Sequence, residues 1–142
     1  MSLRKLTLSA AAVVLLAVPV FAASPQKPGN WKTTMEMEMP GMPVKMPPVT
    51  FTHCVTQEDL ENPDRAVPKG KQNSNCKVSD YKVDGKKVTW TMKCEGSQPM
   101  TGTGEMTFDA DSYTGMMKMT MGESQEMTMK YSGKRLGDCP AK

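Results

Sequence analysis

From Lys86 to Cys94 the sequence KKVTWTMKC alternates without a break. Val88, Trp90, Met92 and Cys94 fall on one side, and Lys87, Thr89, Thr91 and Lys93 on the other. Successive side chains of a strand point to opposite faces, so this period of two marks a sheet with one buried face. The segment WKTTMEMEM repeats it, with Trp31, Thr33, Met35, Met37 and Met39 opposite Lys32, Thr34, Glu36 and Glu38. Two later runs set Met117, Met119 and Met121, then Met127, Met129 and Tyr131, on one face each. Helical periodicity is nearly absent. An all-β chain is expected, with methionine in place of the usual branched residues.

The joints between the runs carry turn chemistry. Asp84-Gly85 is a strong hairpin signal, because both residues tolerate the positive φ of tight turns. Asp109–Ser112 and Gly122–Gln125 are the next two tight connections, so a meander of antiparallel strands is expected from Cys76 to about Gly133. Gly102, Gly104 and Gly115 read as strand kinks or bulges that let the sheet curve. Pro40-Gly41-Met42-Pro43 and Pro47-Pro48 cannot occupy a central strand, since proline lacks the ladder donor. The polar stretch of about 56–75 reads as a long loop with one short helix, Gln57–Leu60, capped by Thr56. The expected fold is a meander of about seven strands forming a small barrel or half-barrel; a two-sheet β-sandwich is the alternative.

Ahead of these runs, Arg4 and Lys5 precede a largely apolar stretch from Leu6 to Val20 and the small-residue site Val20-Phe21-Ala22. That is the pattern of a secretory signal peptide over 1–22. A single all-β domain over 23–142 follows, periplasmic or secreted, with no transmembrane segment in the mature chain. Of 18 basic residues the leader carries two, leaving 16 against 15 acidic ones. A near-neutral chain with scattered lysines offers no surface for nucleic acid.

All four cysteines lie in the exported part. An even count in an oxidising compartment predicts two disulfides. Counting outward from Asp84-Gly85 brings Cys76 and Cys94 to or near facing positions, which favours Cys76–Cys94 and leaves Cys54 with Cys139. A Cys54–Cys76 bridge closing the polar loop stays open as the competing pairing.

In order along the chain stand Gly29-x-Trp31, MEMPGMP, CVTQEDL, a cysteine before the DGKKVTWTMKC hairpin, then TGTGEMTF, DSYTGMMKM and GDC. This succession resembles the exported bacterial family DUF3617 over nearly all of the mature chain. The resemblance implies a secreted domain kept as a unit; it implies no function and no catalytic residue.

The chain holds 15 methionines. Thioethers are soft ligands suited to Cu(I), and residues two apart on a strand share a face. On the inward face of a strand, however, a methionine is also an ordinary core residue that fills irregular gaps. Met39, Met42 and Met46 sit among prolines, where a core explanation is weakest. They form the expected metal site, with His53, the sole histidine, as a further ligand.

Small barrels also enclose ligands. Trp31, Trp90, Phe108, Tyr113 and Tyr131 are the expected wall of a pocket for an apolar small molecule or lipid. The proline-rich edge and the polar loop suit contacts with an envelope protein. No catalytic motif is present. Cys54 beside His53 points to the opposite face of a strand, so a nucleophile–base pair is not expected. The reading is a monomeric binding or accessory protein, not an enzyme; its alternatives are Met-based Cu(I) binding and an envelope interaction module.

Overall fold

The computed structural model describes residues 23–43, 45–67 and 75–141; the expected signal peptide and the middle of the polar loop lie outside them. Seven strands form one antiparallel sheet: β1 (Gly29–Glu38), β2 (Val49–Val55), β3 (Cys76–Asp84), β4 (Lys87–Cys94), β5 (Met100–Phe108), β6 (Ser112–Met121) and β7 (Gln125–Gly137). Their spatial order is β2-β1-β7-β6-β5-β4-β3. The meander holds from β3 to β7, and β7 then pairs with β1. Of the two expected forms, barrel and half-barrel, the closed one does not occur, because β2 and β3 remain the two edges. No second sheet exists among the described residues to make a sandwich. Among the described residues only two short helices, α1 (Gln57–Glu61) and α2 (Pro63–Ala66), are available to cover the inner face. Burial of Trp31, Val88, Met92 and Met117 almost to zero exposure therefore requires the sheet to curl over itself as an open half-barrel.

The register explains how that face fills. One cross-strand row runs Met35–Tyr131–Gly115–Met106–Val88, the next Met37–Met129–Met117–Gly104–Trp90, and the next Met127–Met119–Gly102–Met92–Val78. Each row contains one glycine beside bulky neighbours. A Cβ on Gly104 would fall 2.3 Å from the Trp90 ring, so the missing side chain is the space the indole occupies. The β4–β5–β6 register runs unbroken through Gly102, Gly104 and Gly115, so these are packing recesses rather than the expected bulges. The register shifts instead between Asn30 and Trp31 and between Ser79 and Lys82, with Asp80 at φ 52. The alternating methionines are core: Met92, Met106, Met117 and Met119 are buried, and Met35, Met100, Met127 and Met129 pack against them. Full burial contributes about 1.5–3 kcal/mol for each such side chain.

Both disulfides form in the favoured pairing. Cys76 and Cys94 face each other directly across β3 and β4, Cα atoms 4.0 Å apart. Cys54–Cys139 joins β2 to the tail beyond β7, with Cα atoms 5.4 Å apart. In the β3–β4 hairpin Asp84 pairs with Lys87, leaving Gly85 and Lys86 as the turn, and Gly85 adopts φ 57.

Between the two edge strands the chain crosses the inner face as α1 and α2. Thr56 caps α1 in a reciprocal box with Asp59, and Asn62 caps α2 ahead of Pro63, so both helices start from satisfied N–H groups. Leu60 and Val67 point into the core. On the far side the Val78 backbone N–H, on edge strand β3, donates to Asp64 Oδ1 at 3.2 Å. On the near side the Ser24 N–H donates to the Leu60 carbonyl at 3.5 Å. The crossover thus spans the opening that the ladder leaves.

Candidate functional site

A largely apolar concavity lies where this crossover meets the β2 end of the sheet. It is a cavity of about 240 Å³ lined by Gln26, Thr33, Phe51, His53, Cys54, Val55, Asp59, Arg65, Ala66, Val67, Met106 and Tyr113. Alternation on β2 places Phe51, His53 and Val55 on the inner face opposite Thr33, Trp31 and Gly29. The helical crossover supplies the lid. At the floor, Thr33 Oγ1 and Tyr113 Oη share a hydrogen bond of 2.6 Å, and Trp31 packs against Tyr113 with ring centroids 5.4 Å apart. At the rim, Arg65 pairs with Glu58 at 2.8 Å and Asp59 at 3.5 Å, and Phe51 is 41% exposed.

The cavity wall carries one unspent polar atom. His53 Nδ1 is buried and has no hydrogen-bond partner among the described residues. Burial pushes the His53 pKa below its usual value, so at neutral pH the imidazole is uncharged and can exchange one hydrogen bond with a guest. Two buried phenols, Tyr113 on the cavity and Tyr131 in the core, are held protonated. Burial raises Tyr113, the Thr33 hydrogen bond partly offsetting it. Tyr131, whose hydroxyl donates to Met129 Sδ at 3.3 Å, is pushed up to about 12, chiefly by burial and then by Tyr113.

Of the five aromatics expected to line a pocket, Tyr113 alone lines this one, while Trp90 borders a separate, more polar cavity of about 410 Å³ between Lys82 and Lys118. Trp31, Trp90, Phe108 and Tyr131 are packed into the sheet's own core. Trp31 Nε1 donates to the Lys27 carbonyl at 2.9 Å, and Phe108 packs against Tyr113 with the rings tilted at 53° and centroids 5.5 Å apart. Alternation identifies the inner face but cannot separate side chains that fill it from those that border a void. The strand Phe51-x-His53-x-Val55 carried the missed signal.

The expected metal set divides. Met39, Met42 and Met46 come together with Met37 around a second cavity of about 180 Å³, which also touches Glu38 and Lys45. His53 is not among them. It pairs with Trp31, and seven residues of β1, about 23 Å, separate Trp31 from Glu38. Among the described residues no group of three or more His, Cys, Asp or Glu side chains is placed to hold a metal ion.

A single curled antiparallel sheet, stapled by two disulfides and bridged across its open side by two short helices, defines a small stapled β domain with an apolar inner cavity. The chain belongs to the family described as a protein of unknown function, DUF3617, whose model matches residues 26–139. No curated protein and no solved structure matches it. The disulfides place its folding in an oxidising compartment outside the cytoplasm. Among the described residues no helix is long and apolar enough to cross a membrane.

Proposed function

We propose that the domain is a periplasmic or secreted binding protein, not a catalyst, that holds one compact, uncharged and mostly apolar molecule beneath the helical crossover. The observation that carries this reading is the unpartnered His53 Nδ1 in an otherwise largely apolar wall. A buried polar atom without a partner costs about 1–3 kcal/mol, and a guest bearing one hydroxyl, amine or carbonyl recovers that cost. The size favours a small occupant. At about 240 Å³ the cavity exceeds the roughly 150 Å³ that accepts benzene. It falls short of the roughly 300–1,000 Å³ of drug-sized sites, so a single ring or the end of an acyl chain fits and a whole lipid does not.

Indole and phenol are suitable probes. Titration followed by NMR should give saturable shifts at His53, Tyr113 and Val67, with a rise in Tm at high ligand. Ala66→Phe, which fills the cavity from α2, should abolish the shifts. His53→Leu should weaken them about tenfold. Linear, unsaturable shifts with both probes, together with a bare chain in native mass spectrometry of protein from its own envelope, would overturn the reading. Fractionation of expressing cells tests the location.

A further inference from the structure

We propose that Met37, Met39, Met42 and Met46 form a thioether site for a soft monovalent cation, Cu(I), with Ag(I) as its redox-inert surrogate. None of the four belongs to the buried core or to the partly buried side chains packed against it, and Met42 is 58% exposed. The packing that accounts for Met92, Met106, Met117 and Met119 therefore does not account for these. They nevertheless converge on one cavity of about 180 Å³.

The backbone arranges the convergence. Met37 lies on β1 and Met39 just beyond its last residue, Glu38, and both line the same cavity. There Pro40 and Gly41 turn the chain, Gly41 at φ 88 and the Met42 N–H donating to the Met39 carbonyl at 3.3 Å. Proline followed by a positive-φ glycine is the sequence of a type II turn, which holds the flanking residues within about 7 Å. Met39 and Met42 are those flanking residues. Met46, on the returning limb, faces the same cavity.

Four neutral thioethers without imidazole or thiolate select by softness. Cu(I) and Ag(I) accept such ligands, whereas Mg(II), Ca(II) and Mn(II) require oxygen. The one carboxylate at the cavity among the described residues, Glu38, is engaged by Lys130 at 2.8 Å, and Lys45 beside it adds positive charge, so a divalent hard ion is disfavoured twice. A monovalent ion bears the smaller repulsion.

The test is an anaerobic titration of the intact protein with Cu(I) against a chromogenic chelator, paralleled by native mass spectrometry with Ag(I). One ion per chain is expected, with a sulfur-only coordination shell by X-ray absorption. Met39→Leu/Met42→Leu/Met46→Leu keeps side-chain volume and should weaken binding at least a hundredfold while leaving the circular dichroism spectrum unchanged. Met100→Leu/Met119→Leu, changed in the core away from this cavity, should bind as the parent does. His53→Gln should also bind normally, which separates this site from the apolar cavity. Undiminished binding in the triple variant, a nitrogen ligand in the shell, or no competition with the chelator would each overturn the assignment.

Discussion

Tyr113 of β6 reaches across β7 to share a 2.6 Å hydrogen bond with Thr33 of β1, so two strands that are not neighbours in the sheet are joined by their side chains. Both groups are buried. Tyr113→Phe should therefore cost about 1–3 kcal/mol, because the Thr33 hydroxyl is left without its partner. Adding Thr33→Val should recover most of the loss, since replacing both polar partners by apolar groups of like shape is nearly neutral. A denaturant cycle over the four proteins measures the coupling, and strict additivity would refute it.

The crossing is possible only because Gly133 lies beneath the ring. A Cβ there would stand 2.1 Å from Tyr113 Cε1. Neither the aromatic ring nor a central strand moves cheaply, so Gly133→Ala should destabilise by about 1–3 kcal/mol or more. Tyr113→Leu in the same chain should relieve part of that penalty. A thermal melt of the three variants decides it.

His53 sets an acid limb to stability. Its folded pKa is depressed by burial relative to about 6.5 in the unfolded chain, so the unfolded state takes up the proton first. Its contribution is complete above pH 6.5 and is lost as pH falls through the lower folded pKa. Unfolding free energy should decline from pH 7 towards pH 5, and His53→Gln should flatten that decline. A bound uncharged guest that hydrogen-bonds the neutral ring should protect against it.

The two disulfides should differ in worth. Cys54–Cys139 closes a separation of 85 residues and Cys76–Cys94 one of 18. Restriction of the unfolded chain grows with loop length, so replacing the first pair by serine should cost about 1 kcal/mol more than replacing the second. Equal costs in chemical denaturation would show that native packing around each bridge outweighs chain entropy.

Strand existence, and the facing of Cys76 and Cys94, were legible because both follow from local alternation and a hairpin count. Closure was not legible. Whether β2 meets β3 depends on how far a seven-stranded sheet curls, and the methionines on its face, adaptable in shape, leave no local signature of curvature. The cavity escaped for a different reason. Gln26, Thr33, His53, Arg65 and Met106 come from five separate segments and meet only in the folded chain. Met39 and Met42, by contrast, were readable as a pair, because Pro40-Gly41 dictates the turn between them.

The β1–β7 ladder, which aligns Asn30 with Gly137, also fixes the order of assembly. A chain delivered N-terminus first presents the β1–β2 hairpin long before its neighbour exists. Cys54 then encounters Cys76 and Cys94 ahead of Cys139. The β3–β4 hairpin closes within microseconds of its appearance and sets those two rivals facing each other, so that thiol oxidation, on its slower timescale of seconds or longer, joins them to one another as a local event. The slow step left is capture of the last strand by the first. A chain halted before β7 would expose a long unpaired edge and a lone thiol together, the two features that turn a folding delay into cross-linked aggregates.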